Sequence, residues 1–184
     1  RLPDSLSFEA GAALPMVGLT AKLAFEALAP QRGQTVLVSG ALGGIGRLVV
    51  QWAVKAGAAV YAGVRAAQAD EVAEAFPGLT GTVALDEPDS MKGLSFDAIV
   101  DTVGGKPGEA LLKYHVRDGG TFVALNPPSV PPPEDKGIIL RNVGVRVDAA
   151  ALRTLVEQMA RGEFELPVAE TLPLADAGRA QAAA

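Results

Sequence analysis

Short apolar runs alternate along this chain with stretches in which apolar residues recur every three or four positions. Val36, Leu37 and Val38 make a brief apolar run, and Ile45, Leu48, Val49, Trp52, Ala53 and Ala56 then recur at helical spacing. The pattern predicts a buried strand followed by a helix with one apolar face. Gly57 ends the helix where a left-handed cap is cheapest, and residues 59–64 form a second apolar run. A strand, helix and strand of this length close as a right-handed parallel crossover.

The same alternation continues on both sides. Ser7 caps a short helix over 9–13, and Pro15 opens a second whose stripe of Val17, Ala21, Ala24 and Leu28 runs up to Pro30. Beyond the crossover, 69–76 reads as an amphipathic helix closed by Pro77 and Gly78, and 81–85 and 96–100 read as strands. A helix is expected over 106–116, with Gly119 and Gly120 turning it into a fifth strand, TFVAL. A proline-rich loop, NPPSVPPP, has extended geometry and reads as a lid or connector. A sixth strand is expected from Ile138 to Val147, alternating at Val143, Val145 and Val147, before Asp148 caps a helix over 149–161 that Gly162 stops. Strands alternating with helices predict an α/β chain: a doubly wound Rossmann fold, with a six-stranded parallel sheet and helices on both faces. Residues 1–184 form one domain in this reading, with 164–184 as an exit segment.

Composition narrows the function classes. With 184 residues, 49% of them hydrophobic, the chain has enough apolar surface for a core. The net charge of −5 leaves no basic face for nucleic acid, and no apolar run looks long enough to span a bilayer. There is no cysteine and a single histidine, His115, which argues against disulfides, thiolate chemistry and a zinc site within the chain. The opening RLPDSLSFEA lacks an initiating methionine and the pattern of a signal peptide, and ADAGRAQAAA stops inside an expected helix. The expectation is a cytoplasmic protein of which this is one piece.

Chemistry concentrates at the glycine turn. Ala41, Gly43 and Gly46 match GxGxxG with alanine in the first place, while Gly40, Gly43 and Gly46 give GxxGxxG over the same stretch, with Gly44 and Ile45 between. A preceding strand and a following helix are the context in which this pattern binds a dinucleotide, its pyrophosphate held by backbone N–H groups at the helix N-terminus. About twenty residues further on, where an NAD site places a carboxylate for the ribose 2′-hydroxyl, stands Arg65. Arginine suits a 2′-phosphate, so the cofactor expected is NADPH; a solvated arginine at a strand end is the alternative. FDAIVDTVGG puts Asp101 and Thr102 just past the fourth strand, at the carboxyl end where ligands lie in open α/β sheets.

Taken together, LSFEAGAALPMVGLTAKLAFEAL, VLVSGALGGIGRLVVQWAVKAGA, FDAIVDTVGG and GGTFVALN resemble, in order and spacing, the medium-chain dehydrogenase/reductase superfamily. The likeness is to its zinc-independent branch of NADPH:quinone oxidoreductases and enoyl reductases. The resemblance implies a cofactor domain, preceded in such enzymes by a barrel-like substrate domain that this chain does not hold. It places the pyrophosphate at Gly40 to Gly46, the 2′-phosphate at Arg65, the adenosine half beside Thr102, Val103 and Gly104, and the nicotinamide half beside Leu125 and Asn126. Thr20 matches a residue near the nicotinamide, although a helix-interior threonine explains it as well. The chain departs from the family at Asn126, often glycine, and at Ala66, Ala67 and Gln68, where a lysine or serine is common.

The implied activity is metal-free hydride transfer from NADPH to a quinone or an activated enone, with catalytic residues unassigned. An enoyl reductase module of a fatty acid or polyketide synthase is the second reading, and a non-catalytic NADPH-binding or assembly module the third. His115 reads as structural, Asp97 and Asp101 as turn-forming carboxylates bracketing a strand, and Trp52 as core. A homodimer joined through the 138–147 edge strand is the expected assembly.

Overall fold

The computed structural model describes residues 2–183. Six strands, β1 (Thr35–Ser39), β2 (Ala59–Val64), β3 (Gly81–Ala84), β4 (Phe96–Asp101), β5 (Val116–Ala124) and β6 (Ile139–Asn142), form one sheet. Their order is β3-β2-β1-β4-β5-β6 and every pairing is parallel. This is the doubly wound arrangement expected from the sequence, with strand order reversing between β1 and β4.

Successive strand residues serve opposite layers, because side chains alternate across a sheet. Val36, Val38, Ala98, Val100 and Val123 join one apolar cluster with α1 (Phe8–Leu28), α2 (Gly44–Lys55), α3 (Ala69–Ala75) and α5 (Ala149–Ala160). Leu37, Ile99, Phe122 and Ala124 join the other, with Leu111 and Leu112 behind α4 (Gly105–Ala110). Trp52 meets Phe25 and Phe164 edge-on, at 5.8 and 5.6 Å between ring centroids, confirming its core role. A last helix, α6 (Ala177–Ala183), follows an irregular segment.

Three expectations need correction. The two helices predicted around Pro15 are one, α1, with the proline inside it. A proline there removes one intrahelical bond and costs about 3 kcal/mol or more, yet Leu14, Gly18, Leu19, Ala21, Ala24 and Leu28 bury the helix on both sides of it. Unbroken, α1 is also long and apolar enough by length and composition to cross a membrane, contrary to the sequence reading. Leu14, Leu19, Ala21, Ala24 and Leu28 join the core cluster with residues of α2 and α5.

The helix expected over 106–116 begins at Gly105, loosens into a π turn over Leu111–His115, and yields Val116 to β5. Val116 pairs with Phe96 and Thr121 with Ala98, so residues between them bulge out of the strand. Gly119 takes φ +71°, and a Cβ on Gly120 would lie 2.8 Å from the Asp97 and Arg117 carbonyl oxygens. The two glycines therefore shape a bulge within β5 rather than a turn before it.

The third correction concerns the strand expected from Ile138 to Val147. β6 holds only four residues, and Val143 adds a last bond from its N–H to the Ala124 carbonyl at 2.9 Å. β5 ends at Ala124, so the valines beyond have no neighbour to pair with; Val147 is 97% exposed. Spacing by two mimicked a strand where the sheet had already ended.

Candidate functional site

The cleft lies at the carboxyl ends of β1, β2 and β4, at the point where strand order reverses. β1 runs into Gly40, whose φ of +69° favours glycine. The N–H groups of Gly40 and Ala41 both reach the Gly63 carbonyl, at 2.8 and 3.2 Å, so the turn is tied to β2. Gly43 donates back to Gly40 at 3.0 Å and caps α2 with extended backbone and no side-chain cap. No acidic residue occupies the first turn of α2, so the helix itself supplies no anion to the N–H groups and positive dipole of that end.

Gly40 and Gly46 are also required by packing. A Cβ at 46 would stand 2.2 Å from the Gly40 carbonyl oxygen, and one at 40 would stand 2.3 Å from Thr102 Oγ1. Gly44 instead packs beside Val17 and Leu166, and Ala41 and Ile45 face the core cluster. The turn is thus a cradle kept open on its outer face.

Opposite the turn, the loop after β4 is shaped by Asp101, which is 2% exposed. Its Oδ1 accepts from Ser39 Oγ at 2.5 Å and from the N–H groups of Val103 and Gly104, each at 3.1 Å. Thr102 Oγ1 donates to the Ser39 carbonyl at 2.7 Å. The end of β1 and the loop after β4 are therefore locked together, and Asp101 is the turn-forming carboxylate the sequence suggested. Leu125 N–H follows to the Asp101 carbonyl at 3.1 Å, and Asn126 Nδ2 donates to the Val103 carbonyl at 3.4 Å. Gly104, at φ +76°, has Asn126 Cβ 2.8 Å from where its own Cβ would be.

The resulting cleft has a volume of about 500 Å³ and gathers Gly40, Gly43, Arg65, Thr102 and Val103 from the expected set. Arg65 sits at the end of β2, exposed, with its backbone N–H and Nε–H both donating to Gln68 Oε1 at 3.3 and 3.2 Å. It forms no ion pair among the described residues. Gly104, Leu125 and Asn126 adjoin the cleft through the loop contacts above. Thr20 does not line it: the residue is 7% exposed inside α1, its hydroxyl donating to the Met16 carbonyl at 2.7 Å.

Sequence reasoning missed Leu85, Asp86 and Pro107 as lining residues. Asp86 follows β3, which lies beside β2 in the sheet, so only the strand order brings it near Arg65. Its Oδ1 accepts the Ala66 N–H at 2.8 Å.

Other candidates fall elsewhere. His115 Nδ1 lies 3.0 Å from the Leu94 carbonyl, just before β4 and β5 begin, at the end of the sheet away from the cleft. Asp97 stands at that same end. Burial works against its charge, but the N–H of Thr35, the Arg117 guanidinium and the Thr35 hydroxyl outweigh it and hold its pKa below the ordinary carboxylate value.

The residues fit a dinucleotide: the open helix end, the glycines whose Cβ atoms would collide with the turn, and the cleft beside them are what a pyrophosphate and its nucleoside need. They do not fit zinc. The sequence has no cysteine, and the described residues contain no group of three or more His, Asp or Glu placed to hold a metal ion.

Comparison with known proteins agrees with this geometry. The chain is 28% identical to a 2-methylene-furan-3-one reductase of Solanum lycopersicum, over 97% of its own length and 46% of the reductase. It is 48% identical over 65 residues to the highly reducing polyketide synthase ZEA2 of Gibberella zeae, which covers 35% of the chain and 3% of the synthase. The fold superposes on the quinone oxidoreductase of Coxiella burnetii with a TM-score of 0.86 at 21% identity, over the whole chain and 59% of that protein. The chain thus spans about half, or far less, of the proteins it resembles. A family model described as zinc-binding dehydrogenase matches residues 68–184, and on that match the chain belongs to this family of nicotinamide-dinucleotide oxidoreductases, within the medium-chain dehydrogenase/reductase superfamily.

Proposed function

We propose that the chain is the NADP(H)-binding domain of an oxidoreductase that delivers hydride to a quinone or an activated enone. The observation that carries this reading is the single cleft holding both the open N-terminus of α2 and Arg65 at the end of β2. In it, the N–H groups of the 40–46 turn hold the pyrophosphate, and Arg65 meets the 2′-phosphate with a guanidinium that no carboxylate among the described residues pairs with. Thr102, Val103 and Gly104 border the adenosine half, and Leu125 and Asn126 the nicotinamide half. When bound, the nicotinamide supplies the hydride. The chain's own residues orient the dinucleotide; the substrate and the groups that touch it belong to the longer protein.

Fluorescence titration of the chain with NADPH and NADH tests the reading. NADPH should bind about tenfold more tightly, the scale of one charge-assisted hydrogen bond, and Arg65→Ala should remove that preference. Equal affinity of the unaltered chain for both would overturn it.

The local 48% identity to a polyketide synthase favours a second reading, an enoyl reductase module of such a synthase. Turnover by the full-length protein separates the two: an enoyl thioester reduced far faster than any quinone supports the module. For assembly we propose a homodimer through β6, whose outer edge is unpaired in the sheet. Native mass spectrometry showing only monomer at high concentration would count against it.

A further inference from the structure

We infer that Asp86 is a specificity-determining residue of the cleft, one that opposes a 2′-phosphate and so holds the preference created by Arg65 to a moderate level. The inference deepens the proposed cofactor reading and rests on it. Asp86 lines the same cleft as Arg65 and Gln68, although it arrives from β3 rather than β2. One carboxylate oxygen is fixed, accepting the Ala66 N–H at 2.8 Å. That bond pins the carboxylate beside the backbone of the residue that follows Arg65, so the cleft that holds the guanidinium also holds a carboxylate.

The geometry distinguishes this from a simple ion pair. Arg65 and Asp86 do not come within salt-bridge distance of each other. The guanidinium is instead steadied by Gln68, whose Oε1 takes both the backbone N–H and the Nε–H of Arg65. With Nε committed to Gln68, the remaining guanidinium N–H groups serve a ligand anion. That anion then feels an attractive charge from Arg65 and a repulsive one from Asp86. A ribose with free hydroxyls feels no such repulsion, because a carboxylate accepts hydrogen bonds from hydroxyl groups. The cleft therefore carries one feature of each cofactor type, and its selectivity is the difference between them.

Calorimetry with two probes that differ only at the 2′ position, adenosine 2′,5′-bisphosphate and adenosine 5′-monophosphate, tests the inference on the full chain. Asp86→Asn keeps an oxygen for the Ala66 N–H and removes the charge. It should tighten the bisphosphate about three- to tenfold, the scale of one unit charge acting on another across a hydrated site, and leave the monophosphate within about twofold. The gain should shrink as salt is raised. Asp86→Ala should give the same selective gain, and an effect in alanine but not in asparagine would mean that only the hydrogen bond to Ala66 matters, overturning the inference. Equal weakening of both probes by Asp86→Asn, as expected if the carboxylate reads the adenine amino group, would overturn it too, as would no change. Arg65→Ala separates the underlying reading: if the bisphosphate keeps its advantage in that variant, the role given to Arg65 fails, whatever Asp86 does. Binding of neither probe overturns both.

Discussion

β4 carries two aspartates at opposite ends, and each holds the same neighbour, β1. Asp97, at the end away from the cleft, accepts from the Thr35 N–H and hydroxyl at 2.7 and 2.8 Å and pairs with Arg117 at 2.6 Å. Asp101, at the cleft end, accepts from Ser39 and from the N–H groups of the loop that follows. The side chain of Asp97 is 29% exposed, whereas Asp101 is 2% exposed. Asp97 fastens strands that the ladder already joins. Asp101 gives shape to a segment with no regular hydrogen bonding of its own. The same side chain in the same strand therefore acts on stability alone at one end, and on both stability and the site at the other.

The comparison is most exposed to failure at Asp101. Asp101→Ala leaves the buried Ser39 hydroxyl and Gly104 N–H, and the part-buried Val103 N–H, without their acceptor, at a cost of about 3 kcal/mol. Urea unfolding should show that loss, and NADPH affinity should fall by about tenfold or more as the loop relaxes. Lost stability with unchanged affinity would erase the distinction between the two aspartates. A gentler probe reaches Asp101 without altering it. A Cβ on residue 108 would stand 2.0 Å from Asp101 Oδ2, so Gly108→Ala must push the carboxylate or α4 aside. About 2 kcal/mol of stability should be lost, again with weaker cofactor binding, and an unchanged affinity would show that the loop tolerates a displaced carboxylate.

How much of this was legible beforehand differs between the two ends. The crossover from β1 to β2 could be read directly, because glycine turn, helix period and cap fall within one contiguous stretch. Both aspartates were recognisable as brackets of β4, but not their division of labour, since Thr35 and Ser39 become their partners only through the parallel register of β1 and β4. Asp86 was hidden for the same reason: nothing local marks a carboxylate after a short strand, and its place near Arg65 comes from β3 lying beside β2. Val145 and Val147 misled in the opposite direction, carrying the alternation that begins at Val143 past the end of the strand they would pair with. Pro15 looked like a helix start because a proline's local cost is visible in sequence, while the burial of α1 that overrides it is not.

Smaller effects test the other aspartate. Asp97→Asn keeps the shape and one acceptor for Thr35 but loses the charge that Arg117 meets. With both partners part-exposed, 46% for Arg117 and 29% for Asp97, the cost should be about 1 kcal/mol or less in urea unfolding. NADPH affinity should stay within about twofold. A tenfold loss of affinity would mean that the far end of β4 communicates with the cleft, and the contrast would have to be given up.

The smallest effect is a change of slope. The pKa of Asp97 is lower in the folded chain than in the unfolded one, so at acid pH the unfolded state binds more protons and stability rises with pH. Its contribution is complete above the ordinary carboxylate pKa and is lost as pH falls through the depressed folded value. Glu9, bonded within the first turn of α1, and Glu163, paired with Arg161, shift in the same direction, so an acid limb should persist in any single variant. Asp97→Asn should flatten that limb without abolishing it, measured as unfolding free energy between neutral pH and pH about 3. A limb as steep in Asp97→Asn as in the parent would mean that the hydrogen bonds from Thr35 and Arg117 do not favour the charged carboxylate. Asp97 would then be only a spacer between strands, and the exposed end of β4 would owe its order to the ladder alone.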